Sequence, residues 1–217
     1  KKKITLSDKK IIKNFKSKKL IMNNQINNNT ILKKTIQTKR KFFFDGVSIN
    51  SKKIKNNNLF IAIKGKRKNG HDFLNESLKN GAKYCVVSDP PKRNSKYIKV
   101  NNTLNFLNKF AKNKRSSSSA KFIAVTGSSG KTTVKTLLGD ILKKYAKTYF
   151  SPLSYNNKYG VPLSICNMQA EDDFGVFEVG MNKFNEIQKL SSIVKPHIGI
   201  ITNISEAHLE NFKNIKG

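Results

Sequence analysis

Only two cysteines, 13 acidic residues against 43 Lys and Arg, and short apolar runs mark this 217-residue chain. Each shortage removes a class of protein. Cys85 and Cys166 lie far apart among apolar neighbours with no CxxC or Cys/His spacing, which excludes a disulfide scaffold or a cysteine metal centre and predicts buried, reduced thiols. No stretch approaches the ~20 consecutive apolar residues that span a bilayer, and Lys1-Lys2-Lys3-Ile4 is not followed by a signal-peptide core, so a soluble cytoplasmic protein without membrane insertion is expected. The chain begins without methionine and stops at Gly217 just after a motif-rich stretch, which reads as a piece of something longer.

The shortage of acid leaves a net charge of +30 and a pI near 10.2. Such values ordinarily point to nucleic acid or an anionic membrane surface. Here the lysines are spread over the whole chain among Asn and Ile, whereas a binding stripe concentrates its charge and interleaves aromatics. Solvated lysines are the better reading and no specific nucleic acid is expected, although the field would attract a polyanionic nucleotide in any case.

With 37% hydrophobic residues the chain can fill one large core or two modest ones. Residues 1–44, rich in Lys and Asn with scattered Ile11, Ile12, Phe15, Leu20 and Ile21, give no clear element. Beyond them the spacing predicts strands at 59–63, 84–87 and 97–100 and helices at 72–80 and 103–112, a small α/β unit. Arg115 and the serines 116–119 form a polar break suited to a linker. A second unit follows, with strands at 122–126, 175–179 and 198–202 and a helix at 186–194. Apolar strands alternating with helices predict α/β architecture with a mostly parallel sheet, and ligands at the carboxyl ends of its strands. The expected division is residues 1–115 and 116–217.

Between strand 122–125 and a helix with apolar positions Val134, Leu137, Leu138, Ile141, Leu142 and Tyr145 stands Thr126-Gly127-Ser128-Ser129-Gly130-Lys131-Thr132-Thr133. The glycines permit a tight turn with inward amides, the helix presents its positive end, and Lys131 supplies a mobile cation, so a phosphate-binding loop is predicted over Gly127–Thr133. A hydroxyl directly after the lysine can ligate Mg²⁺, which nominates Thr132. The general pattern places a glycine where this chain has Val125, so the loop is a short variant; a plain flexible turn is the competing reading. Glu178 interrupts an apolar strand, where an unpaired carboxylate costs several kcal/mol, so a cation or a basic partner beside it is expected; a water-exposed strand end is the alternative. Asn156 and Asn157 precede Gly160 and Pro162 and can be simple turn formers.

Taken in order, the short loop, Ser154-Tyr155-Asn156-Asn157-Lys158-Tyr159-Gly160-Val161-Pro162, Phe177-Glu178-Val179-Gly180-Met181-Asn182 and Thr202-Asn203-Ile204-Ser205-Glu206-Ala207-His208-Leu209-Glu210 resemble the Mur ligase family of bacterial cell-wall synthesis. Gly46 to Lys52, Leu59 to Gly65 and Asn69 to Phe73 are similar to its UDP-sugar-binding module, so the resemblance covers about residues 45–217. It implies an ATP- and Mg²⁺-dependent peptide ligase that phosphorylates a carboxylate and lets an amine attack the acyl phosphate. Among the family's substrates, the Asn-Asn loop and the Glu-x-Gly-Met-Asn turn favour UDP-N-acetylmuramoyl-tripeptide and D-alanyl-D-alanine. It further implies Lys131, Glu178 and His208 as catalytic, Thr132, Glu178 and His208 as metal ligands, and Ser51, Lys52, His71, Asn156 and Asn157 as substrate contacts, in a monomer. His71 as a mere cap, and His208 as a structural histidine, are the plain alternatives.

This chain has Asn50-Ser51-Lys52 where the family usually has Asp-Ser-Arg, and Asn69 where it has Asp. Family members also carry a C-terminal domain that closes over the nucleotide and a metal-supporting lysine after the histidine, both expected beyond Gly217. Binding without turnover is therefore expected of these residues alone. A sibling ligase or folylpolyglutamate-type ligase with another acceptor, a basic nucleic-acid-binding ATPase, and a nucleotide-binding module without catalysis are the competing functions.

Overall fold

The computed structural model describes residues 22–25, 27–65, 67–91 and 93–205. Helix α1, whose described residues are 22–25 and 27–36, precedes the first strand. Its inward face carries Asn24, Asn28, Asn29 and Thr35 beside Ile31 and Leu32. That polar content hid it from an apolar-periodicity reading of residues 1–44.

The first sheet has the order β1 (Val47–Ser48), β2 (Asn58–Ile61), β3 (Ala82–Val87), β4 (Tyr97–Lys99), every pair parallel. Short turns Ser51–Lys53 and Gly70–Phe73, with α2 (Leu74–Lys79) and α3 (Thr103–Ser117), connect and cover it. Leu59, Phe60 and Ile61 are all buried, the continuous apolar run expected of a strand covered on both faces. In α3 the Asn102 side chain caps the Asn105 amide at 2.8 Å, and Phe106, Leu107, Phe110 and Ala111 form the buried stripe.

That helix runs five residues past its expected end, so the break after it is shorter than its serine run implied. Arg115 lies inside α3, its guanidinium 4.1 Å from the centre of the Phe122 ring and its Nε donating to Val194 O at 2.7 Å. These contacts reward continuing the helix where composition alone reads a linker.

The second sheet has the order β6 (Thr148–Phe150), β7 (Phe174–Glu178), β5 (Lys121–Thr126), β8 (Ile198–Ile201), again all parallel. Helix α4 (Lys131–Lys143) covers one face through Val134, Leu138 and Leu142 against Ile123, Val125 and Val176. Of the apolar positions read from its sequence, Leu137, Ile141 and Tyr145 form a second row that is exposed, because a single sheet face can cover only one side of a helix. Helices α5 (Gly160–Cys166) and α6 (Glu186–Val194) lie on the other face and pack against α3, so one apolar cluster runs from Phe44 and Phe110 through to Phe122, Phe177 and Leu190.

The two sheets are also clasped by one amide. Asn167 Oδ1 accepts from Val47 N at 2.9 Å, while its Nδ2 donates to Val47 O and Leu163 O, each at 2.9 Å. The side chain pairs with the edge of β1 as a neighbouring strand would.

Candidate nucleotide and substrate site

The loops after β5, β6, β7 and β8 meet at the carboxyl edge of the second sheet, where an open parallel sheet places its ligands. Strand register sets Glu178 beside Val125, at the mouth of the loop between β5 and α4. Gly127 has φ of 134°, and a Cβ there would fall 2.2 Å from Thr202 Oγ1; Gly130 has φ of 73° at the helix cap. Both positions demand glycine, for conformation and, at Gly127, for space as well.

The loop holds its expected shape but distributes its donors differently from expectation. Ser128 N donates to Asn203 O at 3.0 Å and Ser129 N to Asn203 Oδ1 at 2.9 Å, while Ser128 Oγ donates to Ser205 O. The Ser128 and Ser129 amides, read from sequence as phosphate donors, are thus spent on the β8 loop. What remains for an anion is the start of α4, where Gly130, Lys131, Thr132 and Thr133 carry the amides that no preceding helical turn can satisfy. Lys131 Nζ lies over the loop, donating to Gly127 O at 2.6 Å and Ser128 O at 3.1 Å, so its cation is held at the mouth of the loop beside the start of α4.

Glu178 is 1% exposed, and its carboxylate is met from three directions. Thr132 Oγ1 donates to Oε2 and Asn156 Nδ2 to Oε1, each at 2.8 Å; Lys135 Nζ stands 3.9 Å from Oε2. The basic partner foreseen for Glu178 is therefore Lys135, which sequence reading missed. Its signal was present: Lys135 falls one helical turn after Lys131 and three residues after Thr132, on the same face. Lys135 is 1% exposed and donates to Leu153 O at 2.5 Å; burial pulls its ammonium below the usual lysine value while Glu178 pulls it back.

The hydroxyl of Thr132 and the Glu178 carboxylate are hard oxygen donors side by side, with Ser154 Oγ 3.4 Å from Thr132 Oγ1. This set fits Mg²⁺, which takes one or two protein oxygens and completes its shell with phosphate and water. Among the described residues no cluster of three His, Cys, Asp or Glu offers an all-protein cage. His208, the remaining expected ligand, lies outside the described residues.

A cleft of about 1220 Å³ opens beside this site. One wall comes from loops of the first sheet with Ser51, Lys52 and Lys68; the other comes from the β6–α5 loop with Leu153, Tyr155 and Asn157. Asn157 lines the cleft, but its Oδ1 accepts from the Tyr159 and Gly160 amides at 3.0 Å, so it starts α5 as a turn former while Asn156 reaches Glu178. His71 does not line the cleft. Its Nε2 accepts from Ser88 N at 3.0 Å and its Nδ1 lies 2.9 Å from Asn69 Oδ1, so the ring staples two loops and both nitrogens are engaged. An amide N–H on one nitrogen fixes the neutral tautomer that donates from the other. The two departures at Asn50 and Asn69 keep the acceptor an aspartate would supply: each Oδ1 receives the amide two residues on, from Lys52 at 3.0 Å and His71 at 3.2 Å. Both cysteines are free and buried, their thiols pushed up to about 12 chiefly by burial.

Two parallel α/β units joined by a continuous core, with a short glycine loop facing a buried carboxylate, define a doubly layered α/β architecture with its candidate site at the strand ends. The models of the Mur ligase family, catalytic domain, and of the Mur ligase middle domain match residues 44–115 and 125–217, and the chain belongs to the Mur ligase family. It is similar to the UDP-N-acetylmuramoyl-tripeptide–D-alanyl-D-alanine ligase of Rickettsia prowazekii, 41% identical over 172 residues that make up 78% of this chain and 38% of that protein. The Escherichia coli ligase of the same name is 33% identical over 173 residues, 80% of this chain and 38% of its own length. Among solved structures, MurF from Acinetobacter baumannii superposes with a TM-score of 0.76 at 30% identity, covering 87% of this chain and 43% of that one. MurF ligase from Thermotoga maritima, in complex with ADP, gives 0.69 at 34% identity, covering 79% and 40%. The chain thus spans about two fifths of the length of these relatives.

Proposed function

We propose that this chain carries the nucleotide-binding and carboxylate-presenting part of an ATP-dependent peptide ligase that adds D-alanyl-D-alanine to a UDP-N-acetylmuramoyl-tripeptide. Residues up to about 117 form the UDP-sugar-binding unit, and those from about 118 the ATP-binding unit. The observation that carries the reading is the β6–α5 loop. One stretch of backbone walls the basic cleft through Leu153 and Tyr155 and delivers Asn156 to Glu178, beside the phosphate loop. A carboxylate held in the cleft and a phosphoryl group held on α4 would meet across it.

Lys131 and the amides at the start of α4 bind the outer phosphates, and Lys52 with Lys68 provides positive charge for the diphosphate of the UDP end. Thr132 and Glu178 would hold Mg²⁺, which when bound neutralises charge developing on the transferred phosphoryl group. Most of the acceleration then comes from positioning and electrostatics, not from proton transfer by the protein. Ser51 and Asn157 shape the cleft, and His71 keeps the loops around it in place.

The reading is tested by calorimetry of ADP with Mg²⁺. Lys131→Ala should weaken binding by about a hundredfold, the loss of a charge-assisted contact of ~3 kcal/mol. Unchanged affinity would remove the basis for the proposal. A phosphate-release assay with UDP-linked tripeptide and D-alanyl-D-alanine on the protein at its natural full length then tests the substrates.

A further inference from the structure

Three elements meet at the Lys135 ammonium. It projects from α4, one turn after the phosphate-binding lysine; it holds the carbonyl of Leu153, in the β6–α5 loop; and it faces the Glu178 carboxylate at the end of β7. The loop it holds is the one that supplies Asn156 to the other oxygen of the same carboxylate. Ser151, at the start of that loop, adds a fourth link, its Oγ accepting from Glu178 N at 3.3 Å.

A lysine 1% exposed has given up its water, and nothing in the apolar core of the second sheet needs a cation there. Its placement makes sense as a tie. Leu153 has φ of 48°, a conformation that a leucine does not hold unaided, and it is the residue whose carbonyl the ammonium grips. Without the grip, the Leu153 backbone can relax to negative φ, and the loop that places Ser154 and Asn156 moves with it.

We propose that Lys135 is a positioning residue for the metal-binding pair, locking the β6–α5 loop and the Glu178 carboxylate into the one arrangement in which Thr132 and Glu178 can share Mg²⁺. This rests on the nucleotide-binding reading above. On that reading the nucleotide would be held by Lys131 and the first amides of α4, and Lys135 would act only through the loop and Glu178.

The experiment is calorimetric titration of ADP with and without Mg²⁺ into wild type, Lys135→Met and Lys135→Gln, with thermal unfolding of each. Affinity for ADP alone should stay within about twofold of wild type in both variants. The gain in affinity that Mg²⁺ confers should drop about tenfold in Lys135→Met. In Lys135→Gln, which keeps a donor for Leu153 O but no charge for Glu178, it should drop by a smaller factor. A folded Lys135→Met with the full wild-type Mg²⁺ gain overturns the proposal. So does loss of metal-free ADP affinity in step with a lowered melting temperature, or failure of both variants to fold, since each marks Lys135 as a general structural residue. If wild type itself gains nothing from Mg²⁺, the failure lies in the metal reading, not in Lys135.

Discussion

Lys114 is 4% exposed, near the end of α3, with its ammonium donating to Asn28 Oδ1 at 2.8 Å. Burial lowers its pKa from 10.5 to about 8, against the weaker pull of Cys166, Asp172 and Glu171. Between pH 8 and 10.5 the unfolded chain therefore holds a proton that the folded chain has released. Stability attributable to this residue rises with pH across that window, and below pH 8 the fold bears the full cost of a buried charge. A shift of that size corresponds to about 3 kcal/mol. The perturbation is Lys114→Met, which keeps the length of the side chain and removes the titration. It also orphans Asn28 Oδ1, but that cost is the same at every pH. The thiols, which ionise near pH 9 when unfolded, do so in both proteins and largely cancel. Urea unfolding at pH 7.5, 8.5, 9.5 and 10.5 gives the stability difference between wild type and variant, which should shift by about 3 kcal/mol in favour of wild type as pH rises. A difference that stays flat, within ~0.5 kcal/mol, refutes the argument, because it would mean that the ammonium keeps its solvation inside the fold.

Asn167→Ala removes three hydrogen bonds, two of them to the edge of β1, and should cost about 2–3 kcal/mol in urea unfolding; a loss below ~0.5 kcal/mol would show the clasp to be incidental. Gly127→Ala puts a methyl carbon 2.2 Å from Thr202 Oγ1 and 2.9 Å from Asn203 O at a positive φ, so ADP affinity should fall at least tenfold while the melting temperature moves by only a few degrees; wild-type affinity would mean that the loop tolerates another path.

Six strands and helices α2, α3, α4 and α6 were legible because parallel strands covered on both faces must be continuously apolar, as at 59–61 and 122–125, and because α6 shows its buried face at regular spacing, whereas the short β1 and β6 and the proline-containing α5, which read as loop, were not. Helix α1 was not, since asparagines that hydrogen-bond to the Phe44 and Asp45 carbonyls fill positions where periodicity looks for leucine. The end of α3 was misjudged for a related reason: serine composition says break, but the long-range contacts of Arg115 say continue, and only the fold brings Val194 to it. Thr132, Lys131 and Glu178 were found from motif and resemblance, and the structure brings them together. Lys135 was missed although its spacing puts it on the same face of α4 as Lys131 and Thr132, because in a chain with 43 Lys and Arg that spacing stands out only once the ammonium is seen to be buried.

The same distinction bears on how a strongly basic chain would build the selective anion site proposed here. A surface lysine in water contributes a screened charge that falls off within ~10 Å, so dozens of them raise the local concentration of any polyanion without choosing among them. Selection needs donors fixed in direction. Here, among the described residues, the fixed donors are few: the first amides of α4 and the Lys131 ammonium held by two carbonyls. The loop that aims Asn156 also walls the cleft, and the strand that carries Glu178 pairs with the strand leading into the phosphate loop. A displacement of the β6–α5 loop by 1 Å would therefore disturb the carboxylate and the cleft wall together, and the buried Lys135 ammonium on Leu153 O ties that loop down instead of leaving it to solvent.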